Sequence, residues 1–152
     1  MTTIPGPRTF GPVTYEVGRE TLRAYASVIG EDHPLCVDRD AARAAGLRDV
    51  MAPPMFAAVY AIGPIVEAVL ALVGEHLPRM LHGEQRFAWH APVCSGDVIT
   101  TTATLERRED RDGKTFLVLR SESYDQDGAL TVEGWWTEIV RGGLPDPEEA
   151  GA

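Results

Sequence analysis

Apolar positions recur at helical spacing through the first half of the chain and at alternate positions through the second. Leu22, Tyr25, Ala26 and Ile29 predict a helix over 19–29, which Gly30 stops. Before it, Val13 to Val17 alternates and predicts a short strand. The start is irregular, since Met1 to Pro12 holds three prolines and two glycines. Asp40 to Ala45 predicts one or two helical turns ended by Gly46. Pro53-Pro54 then opens an apolar stretch from Met55 to about Leu77, read as a long helix with a kink or break at Gly63-Pro64. Proline in a first helical turn loses nothing, because that N–H has no partner within the helix.

The second half reads as strands. Arg86–Ala91, Asp97–Arg107, Lys114–Tyr124 and Ala129–Val140 are rich in Val, Thr, Ile, Phe and Trp. Ile99, Thr101, Ala103 and Leu105 share one face of the second segment. Leu117, Leu119 and Ser121 lie opposite Phe116, Val118 and Arg120 on the third. Asp110-Arg111-Asp112-Gly113 and Asp125-Gln126-Asp127-Gly128 are hairpin turns. A helix apolar on every side must be wrapped. A curved antiparallel sheet around it is the economical solution, giving a single α+β domain. Residues 1–9 form a lead-in, 10–141 the domain, and 142–152 a Pro- and acid-rich tail expected to be disordered.

Composition narrows the partners. The 152 residues carry a net charge of −9 with no basic cluster, which argues against nucleic acid. Met55 to Val73 is almost wholly apolar, but Gly63-Pro64 and Glu67 interrupt it. It barely reaches spanning length, so a buried core helix is expected and no membrane. Cys36 and Cys94 are too few and too far apart for a disulfide framework or a zinc site. Reduced thiols, no apolar leader and a cytoplasmic location are expected, with no metal and no cofactor.

Several segments stand in a telling order. They are Tyr15-Glu16-Val17 with its helix, Gly30 to Asp38, Ala41-Ala42 with Gly46, Ala52-Pro53-Pro54-Met55-Phe56, Leu81 to Phe87, and Ser95-Gly96-Asp97. Together, over about Phe10 to Arg141, they resemble the MaoC-like hydratase/dehydratase family of the hot-dog fold. The resemblance is to the branch of N-terminal MaoC-type domains and fatty-acid-synthase dehydratase subunits. It implies a long central helix wrapped by a curved sheet, and (R)-specific hydration of enoyl thioesters or dehydration of 3-hydroxyacyl thioesters. In active members the loop reads Gly-Asp-x-Asn-Pro-(Leu/Ile)-His-x-Asp, and its Asp and His hold and activate the water. A following Ala-His-Gly-Met supplies a glycine N–H for the developing enolate.

Here Gly30, Pro34, Leu35 and Asp38 match that loop. Glu31 stands at the Asp position, His33 at the Asn position and Cys36 at the His position. The oxyanion glycine falls at Pro54, which has no N–H, leaving Met55 as the nearest donor. Catalytic candidates are therefore Glu31, His33 and Cys36; acyl-site candidates are Asp32, Pro54, Met55 and Tyr60. A thiol with pKa about 8.5 is a poor proton carrier, and the acids Glu31, Asp32 and Asp38 argue against a reactive thiolate. Asp32 with His33 is a weaker substitute pair, because neighbours in a loop point apart. His33 is expected to make a structural hydrogen bond. His82, His90, Trp89, Trp135 and Trp136 read as structural. Arg39, Arg43 and Arg48 form a solvated face or touch the phosphates of CoA or a phosphopantetheine arm.

The resemblance thus implies a subunit that shapes the acyl site while an intact Asp/His sits on a second MaoC-like hot-dog chain, in a heterodimer or heterotetramer. One alternative is an active homodimer using Glu31 and His33. Another is a non-enzymatic acyl-thioester or lipid-binding module. The expected small partner is an acyl-CoA or acyl-carrier-protein thioester.

Overall fold

Alternating Thr, Val, Ile and Leu build a five-stranded antiparallel sheet, seen in a computed structural model that describes residues 8–145. The strands are β1 (Arg8–Glu16), β2 (Met80–Trp89), β3 (Val98–Arg111), β4 (Lys114–Tyr124) and β5 (Leu130–Arg141), in the order β1-β3-β4-β5-β2. Ile99, Thr101, Ala103 and Leu105 are all buried on its inner face, as are Leu117, Leu119 and Ser121. Polar side chains there satisfy one another: Thr101 Oγ1 and Ser123 Oγ lie 2.8 Å apart, and Trp136 Nε1 donates to Ser121 Oγ at 2.9 Å. The β3–β4 hairpin closes on Asp112 (φ 51°) and Gly113 (φ 67°), the left-handed pair that a two-residue turn needs.

Three short helices carry the first half: α1 (Arg19–Ile29), α2 (Pro34–Val37) and α3 (Arg39–Ala44). The central helix follows a 3-10 turn at Pro54–Phe56 and is split into α4 (Ala57–Tyr60) and α5 (Ile62–Val73). Its break falls at Ala61. Pro64 has no N–H to donate to the carbonyl one turn back, so the ladder fails N-terminal to the proline. The stretches Pro54–Tyr60 and Ile62–Arg79, which include these halves, bend by 48°, and no single described helix is long and apolar enough to cross a membrane.

The sheet packs against this helix, as the hot-dog resemblance implies, and leaves one flank of it open. Pro64, Ile65, Ala68, Val69 and Val73 are buried, but Ile62, Val66 and Leu70 remain 46%, 46% and 57% exposed. The sheet covers one side only. Gly63 packs on β1, where an added Cβ would stand 2.6 Å from Val13 Cγ1, and Glu67 Oε2 accepts from the Gly11 N–H at 3.0 Å. The exposed stripe therefore lies on the flank turned away from β1.

Strand limits also differ. β1 begins at Arg8 rather than Val13, because pairing with β3 resumes beyond a bulge between Phe10 and Val13 that absorbs Pro12. β2 begins at Met80 rather than Arg86, since Met80, Leu81 and His82 already pair with β5. The start of the predicted tail is held. Leu144 N–H donates to Thr115 Oγ1 (2.8 Å), and Arg108 donates to the carbonyls of Leu144 (3.1 Å) and Pro145 (2.9 Å). Residues 1–7 and 146–152, with the rest of the lead-in and tail expectations, lie outside the described residues.

Candidate active site

The Gly30–Asp38 loop is built from caps. Gly30 ends α1 in the left-handed conformation (φ 71°), a position glycine takes without strain. Glu31 Oε1 accepts from the His33 N–H at 2.9 Å, and His33 Nδ1 accepts from the Leu35 N–H at 3.2 Å, capping α2. Asp38 Oδ1 accepts from the N–H groups of Asp40 (2.8 Å) and Ala41 (3.2 Å), capping α3. The Met51 N–H donates to the Leu35 carbonyl at 2.8 Å and ties the loop to the segment before the central helix.

These bonds decide what the loop can do. Cys36 is 4% exposed, and burial, aided by the Glu31 charge, pushes its thiol up. At neutral pH it is a protonated, poorly bonding group where a proton carrier would be required. The Glu31 carboxylate meets the His33 backbone, and the His33 imidazole turns to the Leu35 backbone. Glu31 and His33 are thus not joined as a side-chain pair, and His33 has the structural role expected of it.

Two clefts of about 310 Å³ each divide the remaining candidates. Glu31 and Cys36 line the first, with Val37 and the guanidinium-bearing Arg19, Arg23 and Arg39. Pro54 and Tyr60 line the second, with Met51, Trp89, His90 and Pro92. Val50 and Ala52, each 7% exposed, lie on the segment between them. Ala52 N–H donates to the Val93 carbonyl at 2.8 Å, and Met51 bridges to Cys94, so this wall is fixed. Asp32, His33 and Met55 line neither cleft. Asp32 is exposed between two caps, and Met55 projects 48% exposed from the first turn.

In the second cleft Trp89 Nε1 donates to the Pro54 carbonyl at 3.0 Å and holds a half-exposed indole beside the helix start. Tyr60 is 3% exposed; burial pushes its hydroxyl up to about 12 against a hydrogen bond with Thr131. It is a neutral donor at the cleft floor.

The arginines near the loop are largely engaged. Arg19 and Arg39 both reach Asp49 Oδ2, at 2.8 and 3.0 Å. Burial raises the Asp49 pKa, but the Val50 N–H and the two guanidinium groups outweigh it and hold the carboxyl below its ordinary value. Arg48 donates to Asp97 at 2.7 Å, and Arg43 is exposed. Neither Arg43 nor Arg48 lines a cleft. Sequence reading missed the Arg19–Asp49–Arg39 knot, which joins distant segments and has no local signature.

Residues 5–133 match the family model described as FAS1-like, dehydratase domain region. The chain belongs to this group of MaoC-like hot-dog dehydratases and hydratases. Among curated relatives, a UPF0336 protein of Streptomyces griseus subsp. griseus is 40% identical over 138 residues, covering 88% of this chain and 91% of its own. A UPF0336 protein of Saccharopolyspora erythraea is 38% identical over 137 residues, covering 88% and 86%. Among solved structures, the HadBC (3R-hydroxyacyl-ACP dehydratase) complex of Mycobacterium tuberculosis superposes with a TM-score of 0.79. It is 25% identical, covering 91% of this chain and 99% of the matched one. The ChsH1–ChsH2 complex of the same organism, at 19% identity, shares the fold with a TM-score of 0.72 over 90% of this chain and 89% of its own. Within a MaoC-like frame, Cys36 and Pro54 stand where the resemblance puts the water-activating histidine and the oxyanion glycine.

Proposed function

We propose that this chain is the acyl-site-shaping subunit of an (R)-specific enoyl-thioester hydratase or 3-hydroxyacyl-thioester dehydratase whose Asp/His dyad sits on a second hot-dog chain. The observation that carries this reading is Cys36, a buried thiol raised further by Glu31, at the position of the water-activating histidine. Pro54 adds an independent loss, since it has no N–H to offer an enolate. Two solved neighbours are themselves complexes, which supports a hot-dog partner. The exposed apolar residues Val37, Met55, Ile62, Val66 and Leu70 are the surface such a partner would cover.

In this arrangement the chain contributes walls. The two clefts would form one acyl channel when a second chain bridges the Val50–Ala52 wall, with Tyr60 and the Trp89 indole at its apolar end. The test is co-expression with a MaoC-like chain that keeps Asp and His in the loop. Purified alone, this chain should not hydrate crotonyl-CoA above background; the co-purified pair should. Robust turnover by this chain alone would sink the reading. Thioester binding without turnover, even with such partners added, would favour a binding module.

A further inference from the structure

We infer that Trp89 sets acyl length in this chain by closing the second cleft to all but short acyl groups. The inference rests on the acyl-site reading above and adds the class of acyl group. Trp89 ends β2 opposite Val132, which is fully buried, so the indole stands on the inner face of the sheet, on the side of the central helix. Its Nε1 donates to the Pro54 carbonyl at 3.0 Å. That bond ties the strand wall of the cleft to the helix wall.

The ring is backed as well as bonded. Phe87 stands two residues earlier on the same face, its ring centroid 5.7 Å from that of Trp89, and it meets Trp136 edge-on at 5.5 Å. Opposite Phe87 the sheet carries Gly134, where an added Cβ would stand 2.8 Å from Phe87 Cε1 and 2.8 Å from Trp136 Nε1. Glycine there is what lets the three rings lie in a row. Trp136 is 3% exposed and donates to Ser121 Oγ at 2.9 Å, so the row is anchored in the core. An indole held at its nitrogen and supported along its ring has little freedom to swing aside, although it is 50% exposed.

The other walls are of the same kind. Pro53, Pro54 and Pro92 supply three fixed rings, and Tyr60 the floor. Apart from the Tyr60 hydroxyl and His90, whose Nε2 is engaged with Glu133 Oε2 at 2.8 Å, these walls carry no titratable group among the described residues. Such a lining favours an apolar group. It also adapts poorly, because prolines and a pinned indole cannot repack around a longer chain as flexible methionine side chains do. The volume of about 310 Å³ stands at the low end of ligand cavities, which run from roughly 300 to 1,000 Å³. The acyl group that fits is short, and Trp89 is the largest side chain among the walls that limit it.

The experiment titrates butyryl-, hexanoyl-, octanoyl- and decanoyl-CoA into the full chain alone by isothermal titration calorimetry, with circular dichroism to confirm folding of each variant. Each buried methylene should tighten binding about fourfold until the cleft is full. In wild type that gain should stop within the series. In Trp89→Ala it should continue for at least about two carbons more, because truncating a large wall residue leaves room that its neighbours do not reclaim. Decanoyl-CoA should then bind the variant at least about 10-fold more tightly than wild type, and butyryl-CoA should gain nothing. Trp89→Phe keeps a ring against Phe87 and cannot donate to Pro54, so its limit should fall between the two; it also serves where Trp89→Ala does not fold. Affinity that rises without pause to decanoyl-CoA in wild type, the same length profile in wild type and variants, or no binding of any of these thioesters would overturn the inference. No readout here uses turnover. An assembly that fails to hydrate crotonyl-CoA sinks the catalytic reading, whereas a length profile indifferent to Trp89 sinks this inference alone.

Discussion

Cys36 and Asp49 are buried groups whose surroundings set their protonation in opposite ways. Cys36 is held by burial and by the Glu31 charge in its thiol form. Iodoacetamide at neutral pH should therefore label neither Cys36 nor the equally buried Cys94 in the native chain, and both in urea. Rapid native labelling of Cys36 would indicate a reactive thiolate. A raised native pKa also means that Cys36 favours folding below the unfolded thiol pKa, a contribution lost as pH climbs through the native value. Asp49 has the opposite sign. Its carboxyl is held low by the Val50 N–H and by Arg19 and Arg39 in spite of burial. Its contribution is present above the unfolded carboxyl pKa and disappears as pH falls through the lower native value. Asp49→Asn should cost about 1–2 kcal/mol at neutral pH, since both arginines are half exposed and screened. Urea melts should show that gap closing toward strongly acidic pH.

At the scale of elements, the two flanks of α5 should respond in opposite ways. Val66→Asp falls on the exposed stripe and should leave the melting temperature nearly unchanged. Ala68→Asp places a charge at a fully buried position and should cost on the order of 3–5 kcal/mol or prevent folding. Gly63→Val should also destabilise strongly, because its Cβ would collide with Val13. Thermal melts of the three variants check the set. The same helix shows what was legible in the sequence. Alternation at Ile99–Leu105 and Leu117–Ser121 named the inner face of the sheet, since a buried face imposes period two. Leu22, Ala26 and Gly30 named α1 and its end. The exposed stripe was not legible, because a sequence shows that Ile62, Val66 and Leu70 are apolar and not whether this chain or another covers them. The β1 bulge was hidden by Pro12, which reads as an interruption until β3 is seen pairing on either side. At the site, the altered positions were visible letter by letter, but their division between two clefts depends on the Ala52–Val93 bond and the Met51–Cys94 bridge. Contacts between distant segments leave no local trace.

For the molecule as a whole, that division carries the sharpest consequence. Suppose the loop is repaired by Glu31→Asp with Cys36→His. The dyad position then holds an aspartate and a histidine within the first cleft, beside Val37 and Arg39. The oxyanion position stays at Pro54 in the second cleft, behind the Val50–Ala52 wall, and still has no N–H. Loss of one oxyanion donor alone typically costs about 10²–10³ in turnover, and a misplaced water adds a comparable factor. The repaired chain, assayed alone on crotonyl-CoA, should therefore remain at least about 1,000-fold below the assembly formed with an intact Asp/His chain. Adding Pro54→Gly should recover only part of that gap, because the wall between the clefts remains. Turnover by the double variant close to that of the assembly would mean that both halves of the mechanism already meet within one chain, and that the second hot-dog subunit is dispensable.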